Sequence, residues 1–173
     1  LNVSKDDWPK SLPGRSLMPL FNASDAGNWE APIAYSHTFH EVTNYFPYRV
    51  LRGPRYKYIV NLAHKLDMPL PTDLYDAPSY KSIETTGGSP ERTQTRLLRH
   101  EREALYDLLE DPYENNNLVG DGSKAAILEE YRERLMKLRL ETNDPWLEID
   151  FQEGFLPSRH SDLDLATEKA RIE

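Results

Sequence analysis

The chain contains no cysteine. It therefore has no disulfide, no thiolate metal site and no cysteine nucleophile, and its redox compartment is left open. It lacks any apolar run near the ~20 residues that span a bilayer. Leu1 to Lys10 carries neither a basic head nor an apolar stretch, so no signal peptide is legible there. No methionine opens the chain, and Leu1 is expected to be the first residue of a fragment. Positive charge is in deficit: Lys and Arg total 21 against 29 Asp and Glu, a formal net charge of -8. That surplus disfavours non-specific binding to nucleic acid or to an anionic membrane. It leaves room for a local cluster of Arg and His to hold an anionic sugar.

What is present suits one ordinary domain plus an arm: 173 residues, 38% of them hydrophobic. Residues 1–30 are rich in Pro, Gly, Ser, Asn and Asp and read as a connector. Asn2-Val3-Ser4 and Asn22-Ala23-Ser24 fit the glycosylation acceptor pattern, which matters only in an exported eukaryotic protein. From Ala31 the composition turns to β. Ile33 to Phe39, Tyr48 to Leu51 and Tyr56 to Leu62 carry the Tyr, Val, Ile and Phe that suit pleated, half-buried surfaces, and Gly53-Pro54 marks a hairpin. Residues 63–103 form a long excursion with several prolines, Gly87-Gly88 and a charged run. A fourth strand is expected at Ala104 to Leu108. Ser123 is placed to cap a helix running to about Glu141, with Ile127, Leu128, Tyr131, Leu135 and Leu138 as its apolar stripe. Asn143-Asp144-Pro145 stops that helix. The pattern predicts an α+β fold: a small antiparallel sheet of about four strands against one long C-terminal amphipathic helix, with long loops. Residues 31–146 make up this unit, and 147–173 an acidic C-terminal arm.

Five segments carry a resemblance. Ala104-Leu105-Tyr106-Asp107-Leu108-Leu109-Glu110-Asp111-Pro112-Tyr113-Glu114-Asn115-Asn116-Asn117-Leu118 resembles the closing motif of type I sulfatases, "E-L-Y-D-L" followed by "D-P-x-E-x-x-N-L", with Ala104 in place of the usual Glu. Gly14 to Leu20 resembles the "G-R-S-L-L-P" of the heparan N-sulfatases, or sulfamidases. His40-Glu41-Val42-Thr43 with Pro47 and Arg49 resembles their "H-E-V-T…P-x-R". Met68 to Pro71 resembles "M-P-F-P", and Glu141 to Trp146 resembles "E-T-H-D-P-W". Together these cover most of residues 14–146.

The resemblance implies the last third of an enzyme whose large α/β domain, of the alkaline-phosphatase type, holds the chemistry. That domain carries a formylglycine that attacks sulfur and a calcium held by Asp and Asn. Neither segment is recognisable here, so both are expected in a missing N-terminal catalytic domain. The implied partners are that domain and a sulfated sugar, with no nucleic acid and no membrane. The implied location is exported: periplasmic or secreted, or lysosomal in animals. The implied function is a C-terminal subdomain of a sulfatase acting on N-sulfoglucosamine or a related glycosaminoglycan sulfate. A sugar O-sulfatase and a stand-alone carbohydrate-binding or interaction module are the alternatives.

Within the chain no residue is assigned to catalysis or to a metal. Ser11-Leu12-Pro13-Gly14-Arg15 fits S-x-P-x-R literally, but the Thr-Gly expected downstream is missing and the segment reads as connector. His37 and His40 are three apart, which in a strand sends them to opposite sides, and no further ligands complete a tetrahedral set. By resemblance, His40, Glu41 and His37 belong to the substrate-binding rim of the parent enzyme's pocket. The competing reading makes Glu41 a partner of Arg49 and His40 a strand cap. Arg96, Arg99, His100 and Arg102 form a basic knot, read as a solvated loop paired with Glu101 and Glu103 or as a contact for anionic glycan. Trp146, directly after the helix stop, reads as a core anchor. The purified chain alone should hydrolyse neither an aryl sulfate nor N-sulfoglucosamine, with or without calcium. Metal-dependent turnover that Ser11→Ala abolishes would restore the rejected nucleophile.

Overall fold

The computed structural model describes residues 32–41 and 44–147, together with the isolated Phe21. The connector at 1–30, its S-x-P-x-R segment and glycosylation triplets, and residues 148–173 of the arm lie outside the described residues apart from Phe21. Everything below belongs to the compact unit that begins at Pro32.

The fold is α+β. Strands β1 (Ile33–His40), β2 (Asn44–Arg52), β3 (Tyr56–Asn61) and β4 (Glu103–Asp107) form a four-stranded antiparallel sheet in the order β1-β2-β3-β4. Three short helices lie in the long connection between β3 and β4: α1 (Thr72–Tyr75), α2 (Pro78–Thr86) and α3 (Gln94–Leu98). The long helix α4 (Ala125–Glu141) follows β4 after two short 3-10 turns.

Alternation along the strands decides which residues meet the helix. Leu51, Tyr58 and Leu105 lie side by side across the sheet and pack with Val60 against Leu128, Tyr131 and Leu135 of α4. Ile127 and Leu138 are partly buried against the same cluster, so the stripe expected from the three- and four-residue spacing meets the sheet. The helix also buries Met136 and Leu140, which the stripe did not include; Leu147, after the helix stop, packs on both. A polar group sits inside this layer. Arg132 donates to both oxygens of Glu103, at 2.7 Å from Nε and 2.6 Å from Nη2, and the Tyr58 hydroxyl donates to the same carboxylate. Burial pushes the Tyr58 hydroxyl well up, and the Glu103 charge and hydrogen bond add to the shift.

The helix starts differently from the expectation. Ser123 is not the cap; the Asp121 side chain accepts the Ser123 N–H at 2.8 Å, closing a 3-10 turn that leads into Ala125. Gly53 in the β2–β3 turn lies under Tyr131, where a Cβ would collide with the tyrosine hydroxyl.

The excursion holds more regular structure than its prolines and glycines suggest. Helix α2 ends on Gly87 in the left-handed region (φ 81°), whose N–H donates to the Ile83 carbonyl at 2.8 Å. Thr93 caps α3 by accepting the Arg96 N–H at 3.2 Å. The Met68 N–H reaches the Leu98 carbonyl at 2.7 Å, so the two ends of the excursion are tied where the Met-Pro segment lies. The excursion returns over the sheet face opposite α4, where Phe46 and His100 stand 5.7 Å apart. A cleft of about 660 Å³ remains between that face and the loops, with Ile59, Ala104 and Tyr106 among its lining residues.

Two substitutions check this packing by denaturant melts. Leu135→Ala should cost about 2–5 kcal/mol, and Gly53→Ala about 1–3 kcal/mol through overpacking against Tyr131.

Candidate functional site

The sequence candidates converge on the β1–β2 hairpin, at the edge of the sheet. Pairing runs from Ile33 with Arg52 to His37 with Tyr48, then jumps to Phe39 with Tyr45 and His40 with Asn44. One residue of β1, Thr38, thus stands opposite two of β2, Phe46 and Pro47, a bulge whose proline has no N–H to give to the ladder. The Pro47 carbonyl is used elsewhere: it accepts the Leu62 N–H at 2.9 Å.

His37 sits inside the hairpin framework. Its Nδ1 is 3.2 Å from the Phe46 carbonyl, which it reaches as an N–H donor, and its ring stacks on Tyr48 at 5.0 Å and 10°. His40 and Glu41 stand at the exposed end. Glu41 has φ 59°, a left-handed conformation uncommon for a non-glycine residue and suited to a tight reversal. Asn44, only 6% exposed, donates from Nδ2 to the Glu41 carboxylate at 3.4 Å. The strand end therefore presents one imidazole and one carboxylate to the outside. Their chemistry is that of donor, acceptor and charge for a polar ligand.

Arg49 is not the partner of Glu41. It lies on the helix side of β2 and donates to Asp144 through Nε at 2.9 Å and Nη2 at 2.8 Å, a bidentate pair. Arg139 of α4 donates to the same carboxylate at 2.6 Å. The side chains of Arg49, Asp144 and Arg139 are only 10%, 4% and 4% exposed. Arg49 also donates through Nη1 to the carbonyls of His37, at 3.3 Å, and Tyr48, at 3.1 Å. Burial alone would push the Asp144 carboxyl up; the Arg49 hydrogen bonds and the Arg139 charge outweigh it and hold it below the usual range. The Trp146 N–H closes the turn onto Asp144 Oδ1 at 3.1 Å, and the Arg49 guanidinium lies 4.7 Å from the Trp146 ring. Trp146 is half-buried; its indole N–H donates to the Tyr45 hydroxyl at 2.8 Å. It anchors the hairpin to the turn after α4.

The basic knot is dispersed. Arg96 donates to the Asn115 carbonyl, Arg99 pairs with Asp67 at 2.9 Å, and His100 Nε2 approaches the Leu97 carbonyl at 3.1 Å. The expected acidic partners are engaged otherwise, Glu103 with Arg132 and Glu101 with the Asn117 amide at 3.0 Å. Arg96, Arg99 and His100 line the cleft on the excursion side.

The closing motif is built into the scaffold. Asp107 is 3% exposed and takes a bidentate pair from Arg55, with contacts of 2.7 to 3.0 Å. Those hydrogen bonds hold its carboxyl below the usual range against burial. Asp111 accepts the Asn116 N–H at 2.7 Å, Glu114 pairs with Lys57 at 2.7 Å, and Asn117 accepts the Leu105 N–H at 3.0 Å.

No protein-family model matches the chain. Human N-sulphoglucosamine sulphohydrolase is 36% identical over 142 residues, 79% of this chain and 28% of that protein, in its C-terminal part. The chain is a sulfatase C-terminal portion. The ulvan-active sulfatase of Formosa agariphila is 24% identical over 139 residues, covering 79% of the chain and 25% of the relative. A solved 2-O GAG sulfatase shares the fold at a TM-score of 0.51 and 22% identity, over 84% of this chain and 23% of its own. This portion thus spans 28% and 25% of the curated relatives it matches. Among its described residues no group of three or more His, Asp and Glu comes together as a metal site. None of their helices is long and apolar enough to cross a membrane.

The buried triad sets a stability test. Asp144→Asn should cost about 3–5 kcal/mol, because it strands buried arginine charge. Asp67→Asn, at an exposed pair, should cost about 1 kcal/mol or less. The folded-state value of Asp144 is depressed, so its contribution is complete above the unfolded carboxylate range and fades as pH falls towards the folded value. Acid titration of the melts should therefore show a steeper loss in the parent than in Asp144→Asn.

Proposed function

We propose that this portion completes a sulfatase that removes sulfate from N-sulfoglucosamine at the end of a heparan-type chain. The observation that carries the reading is the match to N-sulphoglucosamine sulphohydrolase over 142 residues, which takes in the hairpin that displays His40 and Glu41. In this reading the portion contributes no catalytic group. Formylglycine and calcium belong to the catalytic portion of the same enzyme, where they supply the attack on sulfur.

The role of this chain is to close the rim of the pocket. His40 offers a ring N–H or a positive charge to sulfate oxygen or sugar hydroxyl, and Glu41 accepts from hydroxyl or from the glucosamine nitrogen. Glu41 reaches outward already oriented by Asn44, which limits the rotamer freedom lost on binding. The compartment consistent with such a substrate is an exported or lysosomal one. A sugar O-sulfatase portion is the second reading; the fold is shared with a solved 2-O GAG sulfatase.

Groups that bind sugar without attacking sulfur act on substrate affinity. In the complete enzyme, His40→Ala should raise KM for N-sulfoglucosamine by about tenfold, the worth of one charge-assisted hydrogen bond. The kcat, and turnover of a small aryl sulfate, should stay within about twofold. Equal losses on both substrates, or no loss on either, would remove His40 from the pocket.

A further inference from the structure

The hairpin that carries His40 and Glu41 is held by its ladder on one side only, because β1 is the sheet edge. Its outer strand is mostly exposed, with Ile33 at 60% and Phe39 at 57%. Strand pairing alone leaves such an end free to twist and fray. A second set of contacts fixes it from the helix side. Trp146 donates to the Tyr45 hydroxyl at 2.8 Å, across 101 residues of sequence. Trp146 is itself held in place: its backbone N–H donates to the Asp144 carboxylate, and the Arg49 guanidinium lies against its ring. Tyr45 in turn leans on Phe39, at 5.3 Å and 54°. Phe39 precedes His40, and Tyr45 follows the Asn44 that orients Glu41.

We infer that Tyr45 and Trp146 are positioning residues for the substrate rim: their hydrogen bond transmits the rigidity of the buried Arg49–Asp144–Arg139 triad to His40 and Glu41. The inference rests on the reading that His40 and Glu41 face the sugar. The hydrogen bond lies at the exposed margin, away from the sheet-helix core, so its loss loosens the hairpin end more than it destabilises the fold. Displacing a binding group by a fraction of its reach weakens contacts that depend on alignment.

The test uses the complete enzyme with Tyr45→Phe, Trp146→Phe, the double variant and His40→Ala. Phenylalanine at 45 removes only the hydroxyl, and at 146 it keeps an aromatic ring but loses the indole N–H together with one ring. Each single variant should raise KM for N-sulfoglucosamine about threefold to tenfold, the range set by one hydrogen bond. The kcat, the aryl sulfate kinetics and the melting temperature should hold. The double variant should be no worse than Trp146→Phe alone, since that change has already removed the bond Tyr45 makes. Matching losses on aryl sulfate, or additive effects, would overturn the inference in favour of a general structural role. An unchanged KM in both single variants while His40→Ala raises it would overturn the inference alone. An unchanged KM in His40→Ala would overturn the rim reading and this inference with it.

Discussion

The carboxylate of Asp144 receives three arginine N–H groups, two from Arg49 and one from Arg139, in a site almost closed to water. Burying a charged group is unfavourable on its own, and a buried pair is often no more stabilising than an apolar one of the same shape. Its value here is directional. Arg49 belongs to β2, Arg139 to α4, and Asp144 to the turn that leaves α4, so one carboxylate fixes three elements against each other. A hydrocarbon contact in the same place would leave the elements free to slide by fractions of a turn. The fork of Arg49 does not, because both of its hydrogen bonds need one orientation.

The same economy recurs in the segment that looks most like a signature. Asp107 at the end of β4 grips Arg55 of the β2–β3 turn, Glu114 grips Lys57, and Asn117 stitches the following loop to β4. Each is a polar side chain satisfying backbone or charge where the sheet meets an irregular connection. A motif that identifies a sulfatase portion is therefore scaffold in this part of the molecule. His40 and Glu41 stand apart from it, exposed at the hairpin end.

Much of the architecture was legible because it rests on periodicity. The alternation of Tyr56 to Val60 and the spacing of Leu128, Tyr131 and Leu135 placed strand and helix against one another before any coordinates. What was not legible depends on contacts distant in sequence. Met136 and Leu140 fall off the stripe and are buried because Leu147 comes back over them. β2 begins at Asn44, well before the expected Tyr48, because the bulge at Pro47 lets a proline stay within a paired strand. The excursion reads as loop in the sequence because each helix in it is too short to show a period. His40 and Glu41 were singled out by their motif, whereas Arg49 and Asp144 had only their places in two separate motifs to suggest a meeting. Charge was the available signal: they are the arginine of "P-x-R" and the aspartate of "D-P-W".

The 95-residue separation of Arg49 and Asp144 bears on synthesis. The β1–β2 hairpin is local and can pair soon after it leaves the ribosome, while the carboxylate that receives Arg49 emerges only after α4. During that interval Arg49 must remain hydrated, and the sheet edge stays unlocked. A chain cut between Asp107 and Asp144 keeps every strand yet lacks its final fastening, so nascent and truncated forms of this portion share one exposed, unfinished edge for chaperones and proteases to recognise.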